Sequence, residues 1–334
     1  MRTSMDLSRF FDSYPGAYAT QAFFHSAIAG AVVEIALKSW KIRSPSSRQK
    51  FLLFAVVFPI FSFPIFKTID SARNSVYFRM GALFDSSRWM SVELPGSIPL
   101  GAVLILVFFM TSLVFFFQEL FPVMKHAFAS GKPAPGEIRE ADEPAVAEAL
   151  APLPVEKPDI YVIDDEDPMI FSSTGRKGSV FMSSGLVGLL DVEQLQAALA
   201  HEIAHVARSR RPYMVIVFLL RIAMFFNPVV LLEFRRSIQD DEKICDEIAV
   251  SMTGKPLVLA ATLKKLYLSQ EEGRSGERQR DASVTGRLED YSHKLNIESR
   301  IGRLEKGYAP DAGSDWFAFA AVFLAVAAIN YYVV

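Results

Sequence analysis

The sequence predicts a mainly α-helical integral membrane protein that carries one small α+β domain. Three observations predict it. Apolar residues make up 51% of the 334-residue chain, including 28 Phe, more than an ordinary soluble domain holds. They are gathered into five long runs rather than spread evenly. Between the third run and the last lies a more polar region whose apolar residues first alternate and then take a helical period. The formal net charge is −2 and gives no basic field, so nucleic acid is not an expected partner. The single cysteine, Cys245, excludes an internal disulfide framework.

The runs are Ala17–Leu37, Phe51–Phe66, Ile98–Phe121, Tyr213–Leu232 and Trp316–Val334. A bilayer core needs about 20 apolar residues in a helix. The third run is uncharged until Glu119 and reads as a span. The last has aromatic residues at both ends, as an interface belt would. The first holds His25 and Glu34 and the second holds two prolines, yet both have the length of spans. The first starts too late for a cleaved signal and reads as a retained span. The short loop KSWKIRSPSSRQK carries five Lys or Arg and no acid, which places it in the cytoplasm by the positive-inside rule. The third span then returns the chain to the cytoplasm, where it stays from about Pro122 to the last run.

Residues 127–158, rich in Ala, Pro and Glu, read as a linker. The stretch from Asp159 alternates, broken by Asp-Pro and Thr-Gly-Arg-Lys-Gly, and predicts two or three short strands. Asp191 is placed to cap a helix running to about Arg208. A second helix is expected from about Leu231 to Met252.

On the first of these helices stands ALAHEIAHVAR. His201 and His205 are four apart and share one face, so both imidazoles reach one zinc ion, and Glu202 beside them can serve as general base. The motif is short, and two solvated or packed histidines would read the same way. A third ligand decides. The chain has five histidines, and His25 and His126 lie in or beside the membrane runs. In DDEKICDE, Glu242 and Asp246 are four apart on one helix face. Glu242 would complete a His₂Glu site with one position open, and Asp246 would bond a ligand histidine's second nitrogen and fix its tautomer. Taken alone, DDEKICDE would be a solvated acidic face. Cys245 reads as a small packing residue rather than a nucleophile.

LAHEIAHVARS followed by FFNPVVLLEFRRSIQDDEKICDEIAV resembles the BlaR/MecR-type membrane zinc metallopeptidases, gluzincins of bacterial receptors. The matching residues are His201 to His205, Phe226-Asn227-Pro228, Arg235-Arg236 and Glu242 to Asp246. FMSSGLVGLLDVEQLQAALAHEIAHV is also similar to the HtpX and CAAX-prenyl-protease type. SHKLNIESRIGRLEKG is similar to a later element of that group, though it lacks the Pro-Pro and is one residue longer. There the histidine and arginine help bind substrate or the oxyanion; here they would be His293 and Arg300.

The resemblance implies a cytoplasmic zincin-like α+β metallopeptidase domain, a small sheet with the HExxH helix and the Glu-bearing helix. It covers residues 159–310 and includes an apolar fold-back segment, 212–234. The N-terminal membrane domain, with about three transmembrane helices, is residues 1–126, and residues 311–334 form a C-terminal transmembrane helix. One Zn²⁺ per chain is expected at His201, His205 and Glu242, with Glu202 catalytic. If these ligands meet, Tyr213–Leu232 cannot cross the bilayer once. It must fold back as a hairpin, a re-entrant segment or a helix pair. Arg221 inside it and the Asn227-Pro228 break fit this.

The expected location is the bacterial inner membrane, multi-pass, with the site facing the cytoplasm. The partners are the lipid bilayer and a protein or peptide substrate, such as a transcriptional repressor or a membrane protein, in signalling or quality control. The chain ends at Val334, which leaves no room after the last span for the sensor domain of BlaR/MecR receptors. The alternative is a catalytically silent zinc-binding signalling or scaffold protein. The charged stretch 269–283 reads as a solvated loop, or less simply as a nick site or lid.

Overall fold

A computed structural model describes residues 9–121, 138–155, 157–173, 178–209, 212–268, 284–307 and 316–334. The elements used below are α1 (Tyr14–Ser39), α2 (Pro45–Ile69), α3 (Leu100–Phe115), β1 (Ile138–Glu140), α4 (Pro144–Leu150), β2 (Asp159–Ile163), β3 (Ile170–Ser173), β4 (Ser179–Ser183), α5 (Val192–Ser209), α6 (Pro212–Ala223), α7 (Pro228–Thr253), α8 (Pro256–Leu263), a π-turn (Lys264–Leu268), α9 (Val284–Lys306) and α10 (Trp316–Tyr331). The chain divides into two compact units. One comprises Met1–Gly131, Tyr213–Asp240 and Ala312–Val334, the other Lys132–Pro212 and Asp241–Asp311.

In the first unit three helical stretches are long and apolar enough to cross a membrane: Tyr14–Ser39, Pro45–Ile69 and Leu100–Gln118. Ser13 caps α1, its Oγ accepting from the Gly16 amide at 3.3 Å. Pro59 and Pro64 lie inside α2. Pro64 has no N–H to give the Ile60 carbonyl, and the Tyr18 hydroxyl of α1 donates to that oxygen instead, at 3.2 Å. Ala29, Val33, Phe51, Leu52 and Ala55 of α1 and α2 pack with Val322 and Val326 of α10. Helix α10 has 16 residues, about 24 Å at 1.5 Å per residue. That is short of a bilayer core of about 30 Å.

The run Tyr213–Leu232 is a helical hairpin. Its turn is built by Asn227, whose Oδ1 accepts from the Val229 amide at 3.1 Å while Nδ2 reaches Ser26 Oγ at 3.1 Å and the Ala22 carbonyl at 3.3 Å. Asn before Pro is both a cap and a start signal for α7. Val217, Met224, Val230 and Phe234 of the hairpin pack against Ala22, Val56 and Ile60. The hairpin thus clusters with the apolar helices, whereas the sequence places it inside the peptidase domain. Arg221 is buried over the rings of Phe115 and Phe234, at 4.9 and 5.1 Å. Further along α7, Arg236 pairs with Glu34 at 2.6 Å, and Asp240 accepts from Arg48 at 3.0 Å.

The second unit has a four-stranded sheet ordered β1-β2-β4-β3. Strands β2 and β4 are parallel, and β1 and β3 run antiparallel to their neighbours. In register Val162 faces Met182 and Ile160 faces Val180. Val162, Val180 and Met182 are fully buried and join a core with Leu195, Leu199 and Ile203 of α5 and Ile297 and Ile301 of α9. The other face stacks Tyr161, Phe181 and Phe171, with centroids 5.2 and 5.3 Å apart.

Part of the expected linker is core instead. Residues 138–140 form β1, and α4 buries Val146, Ala149 and Leu150, with Leu153 after it. Their spacing is a helix face, hidden in a composition dominated by Ala, Glu and Pro. Residues 127–137 and the stretch 269–283 lie outside the described residues.

Candidate metal centre

Helix α5 begins where Asp191 accepts from the Gln194 amide at 2.8 Å, while Gln194 returns a bond to the Asp191 amide at 3.4 Å. This reciprocal cap fixes the start of the helix and so the phase of every later turn. Leu195, Leu199, Ile203 and Val206 point into the core, and His201 and His205 fall together on another face. Gly178 braces the helix against the sheet. It sits at φ +66° with Val206 packed where a Cβ would lie, so this position accepts only glycine.

His201 Nε2 and His205 Nε2 are 3.1 Å apart. Helix α7 brings Glu242 to them, with Oε2 3.6 Å from His201 Nε2 and Oε1 3.5 Å from His205 Nε2. One nitrogen of each histidine and one oxygen of Glu242 all lie within 4.8 Å of one another, a grouping that could hold a metal ion. Zinc–ligand bonds of about 2.0–2.2 Å in a tetrahedron put ligand atoms about 3.3–3.6 Å apart. The three separations, two of which end on different oxygens of Glu242, agree with that to within a few tenths of an ångström, and two imidazoles with one carboxylate are donors zinc accepts.

Behind these ligand atoms, Asp246 Oδ1 lies 3.0 Å from His201 Nδ1, an ion-pair distance without aligned hydrogen-bond geometry. Arg300 of α9 clamps Asp246 with both arms of its fork, Nε to Oδ2 at 2.8 Å and Nη2 to Oδ1 at 2.7 Å. Its Nη1 donates to Glu242 Oε2 at 3.0 Å, and Nη2 lies 3.2 Å from His201 Nε2. Arg300 is buried within this cluster of carboxylates. His293 belongs to α9, but its side chain lies outside the described residues.

The charges are balanced by these contacts. Burial opposes a proton on His201, yet Asp246 and Glu242 outweigh it and raise its pKa to about 9. Burial would push Glu242 up, but His201, His205 and Arg300 hold it well below the carboxylate range. Asp246 follows the same rule, with Arg300 and His201 overcoming burial. Glu202, one residue past His201, is half-buried, and among the described residues its carboxylate has no hydrogen-bond partner. It is therefore open to a water or a substrate.

Two neighbours complete the site, Cys245 as the packing residue expected and Tyr267 without any signal in the sequence. Cys245 Sγ lies 3.5 Å from His205 Nδ1, so the thiol packs against a ligand ring. Burial first, then Asp241 and Glu242, push that thiol's pKa up, which leaves it protonated and unreactive. Tyr267, on the π-turn, lies in the field of Arg300, Glu202, Glu242 and Asp246. Burial raises its phenol pKa, Arg300 opposes this, and the three carboxylates raise it further. Lys265 ties the π-turn to the start of α5, donating to the Leu189 carbonyl at 2.7 Å and Gln194 Oε1 at 3.2 Å.

Residues 136–282 match the model of peptidase family M48. The match contains His201, Glu202, His205, Glu242 and Asp246 and ends before α9. A protein described as plastoglobule-localized metallopeptidase 48, chloroplastic, from Arabidopsis thaliana is 26% identical over 131 residues, covering 36% of this chain and 38% of that protein. A protease HtpX homolog of Thermodesulfovibrio yellowstonii is 25% identical over 180 residues, 40% of this chain and 62% of its own length. A second HtpX homolog, from Leuconostoc citreum, is 23% identical over 257 residues, 62% of this chain and 85% of its own. The chain thus spans under two thirds of the first two relatives. Residues 136–282 are thus similar to peptidases of family M48, in a chain with three helical stretches long and apolar enough to cross a membrane.

Proposed function

We propose that the protein is a membrane-embedded zinc metalloendopeptidase, with one Zn²⁺ per chain held by His201, His205 and Glu242. The observation that carries this reading is the ligand cluster: the two Nε2 atoms are 3.1 Å apart and each lies 3.5 or 3.6 Å from one of the two Glu242 oxygens, separations close to those of tetrahedral zinc. Bound there, zinc supplies Lewis acidity, polarising a peptide carbonyl and making water more acidic.

The remaining steps belong to the chain. Glu202 takes a proton from the attacking water as its oxygen bonds to the carbonyl carbon. The same carboxyl passes that proton to the amine nitrogen as the C–N bond breaks. Asp246 orients His201. Arg300, committed to Asp246 and Glu242, is a positioning residue in this reading and leaves the developing oxyanion to another donor. Tyr267 is the phenol in the field of the same groups and takes that role.

The Phe-Asn-Pro and Glu-x-x-Cys-Asp elements favour the BlaR/MecR type, while the named bacterial relatives favour HtpX. Either type acts on protein substrates. The basic loop after α1 favours a site facing the cytoplasm of a bacterial inner membrane, with residues 311–334, longer than α10 itself, as a fourth crossing. The substrate is a cytoplasmic repressor or a membrane-associated protein.

The test uses detergent-purified protein, by metal analysis and cleavage of an unfolded protein substrate. Wild type should carry about one zinc and cleave. Glu242→Ala should lose the zinc. Glu202→Gln should keep it and lose about 10²–10⁴-fold in rate, the usual worth of a general base. Tyr267→Phe should keep it and lose about 10²-fold in kcat with KM little changed. Zinc without cleavage in wild type would favour the silent scaffold. Full activity in Glu202→Gln would overturn the mechanism.

A further inference from the structure

The first unit holds a cavity of about 210 Å³ that the proposed chemistry does not use. It opens at the end of the α1–α2 pair away from the loop 40–44, where α1 begins and α2 ends. Its polar wall includes Lys67, Arg79, Gln21 and Asp12, and its apolar wall includes Tyr14 and Phe63. At about 30 Å³ per water, the space holds roughly seven waters or a group of that size.

Two cations face this space against one carboxylate. Lys67 Nζ is held over the rings of Tyr14 and Phe63, at 4.9 and 5.9 Å from their centroids, which fixes an otherwise mobile ammonium on the cavity wall. Arg79 Nε is buried and has no hydrogen-bond partner among the described residues. Lys67 is exposed, as a lysine at a membrane surface is, whereas Arg79 Nε is shut off from water. A buried guanidinium N–H left unpaired costs free energy, and an anion in the cavity would remove that cost. The amino-terminal end of α1, from which Tyr14 and Ala17 line the wall, adds its positive dipole end to the same field.

We propose that this cavity binds the phosphate headgroup of an anionic lipid, with Arg79 and Lys67 as the recognition pair and the aromatic wall taking the first apolar carbons. Phosphate accepts from a guanidinium fork and an ammonium together. The residual single positive charge of the lining suits a monoanionic diester, and the cavity's place at the end of two membrane-length helices puts it at headgroup depth.

The experiment measures lipid retained by the full-length protein in nanodiscs of phosphatidylcholine with or without phosphatidylglycerol, after detergent extraction, by native mass spectrometry. Wild type should retain phosphatidylglycerol selectively. Arg79→Gln and Lys67→Gln should each lower retention about tenfold with zinc content unchanged. Ser87→Trp, which fills the cavity and spares both cations, should lower it as far, and serves if a charge variant does not fold. Glycerol phosphate is the soluble arm. Saturable binding of it, lost in Arg79→Gln, with no lipid retention, would keep the anion site and reassign its source. Equal phosphatidylglycerol retention in wild type, Arg79→Gln and Ser87→Trp would overturn the proposal. None of these outcomes depends on peptidase activity.

Discussion

Arg300 and Arg73 are both buried, at 4% and 1% exposed, and they are held in opposite ways. Arg300 is neutralised by charge, clamping Asp246 and reaching Glu242. Among the described residues Arg73 donates to amide oxygens, Gln21 Oε1 at 3.0 Å and the carbonyls of Tyr331, Asn330 and Val333, with Asp70 acting on it only through space. A ring face, that of Phe66, lies 5.1 Å from its guanidinium carbon. The first arrangement suits a place where charge must be stored and aimed at a metal. The second suits a unit of membrane helices, where dipoles and quadrupoles solvate a cation without a buried carboxylate to desolvate. Arg73 thereby fastens residues 330–333, at the end of α10, to α1, as His25 does by sitting 2.6 Å from Ser62 Oγ and 3.1 Å from the Val333 carbonyl.

Substitutions that remove one partner at a time sharpen this contrast. The largest effect is expected from Asp246→Ala, which strands Arg300 among fewer carboxylates. Breaking a buried pair from one side costs about 3–5 kcal/mol, so both stability and zinc should fall, by thermal unfolding and metal analysis. Arg73→Met should cost on the order of 3 kcal/mol, because several buried acceptors lose a donor at once, yet zinc per folded chain should stay the same. If Arg73→Met emptied the metal site, the two arginines would not be independent. Arg300→Lys keeps the charge and loses the fork. It should weaken zinc about 10–100-fold, as substitutions behind metal ligands do, with competition against a chelator as the readout.

The smallest effect is a pH dependence confined to the charge-balanced cluster. In metal-free protein, Asp246 and Glu242 raise His201's pKa above its ordinary 6.5 to about 9, against the pull of burial. The raised value means the folded state holds this proton more tightly. The stabilisation is then complete below about pH 6.5 and lost as pH rises through about 9. Melting of the metal-free protein should fall across that window, and Asp246→Asn should flatten the slope. A wild-type slope unchanged in Asp246→Asn would mean that the carboxylate does not hold the proton.

Much of the site is legible in the sequence because its parts obey the helical period. His201 and His205 are one turn apart, Glu242 and Asp246 likewise, and Asp191 with Gln194 announces where the phase begins. Asn227-Pro228 marks the hairpin turn for the same local reason. What is not legible depends on pairings distant along the chain. Nothing near Arg300 says that it meets Asp246, 54 residues away, rather than substrate. Tyr267 stands on a π-turn with no sequence signature. Helix α4 is obscured because a four-residue apolar stripe, Val146, Ala149, Leu150 and Leu153, is diluted by neighbours typical of linkers.

The chain's one thiol has a practical consequence. Cys245 is wholly buried against His205, and its surroundings suppress the thiolate that alkylating reagents attack. The native sequence is therefore already a blank background for thiol labelling. A cysteine placed at exposed Lys41 or at exposed Tyr77 would be the one reactive sulfur in the folded protein. Comparing a membrane-permeant maleimide with an impermeant one in intact cells would then report which side of the bilayer each position faces. Because Cys245 can stay in place, this mapping needs no substitution at the metal centre.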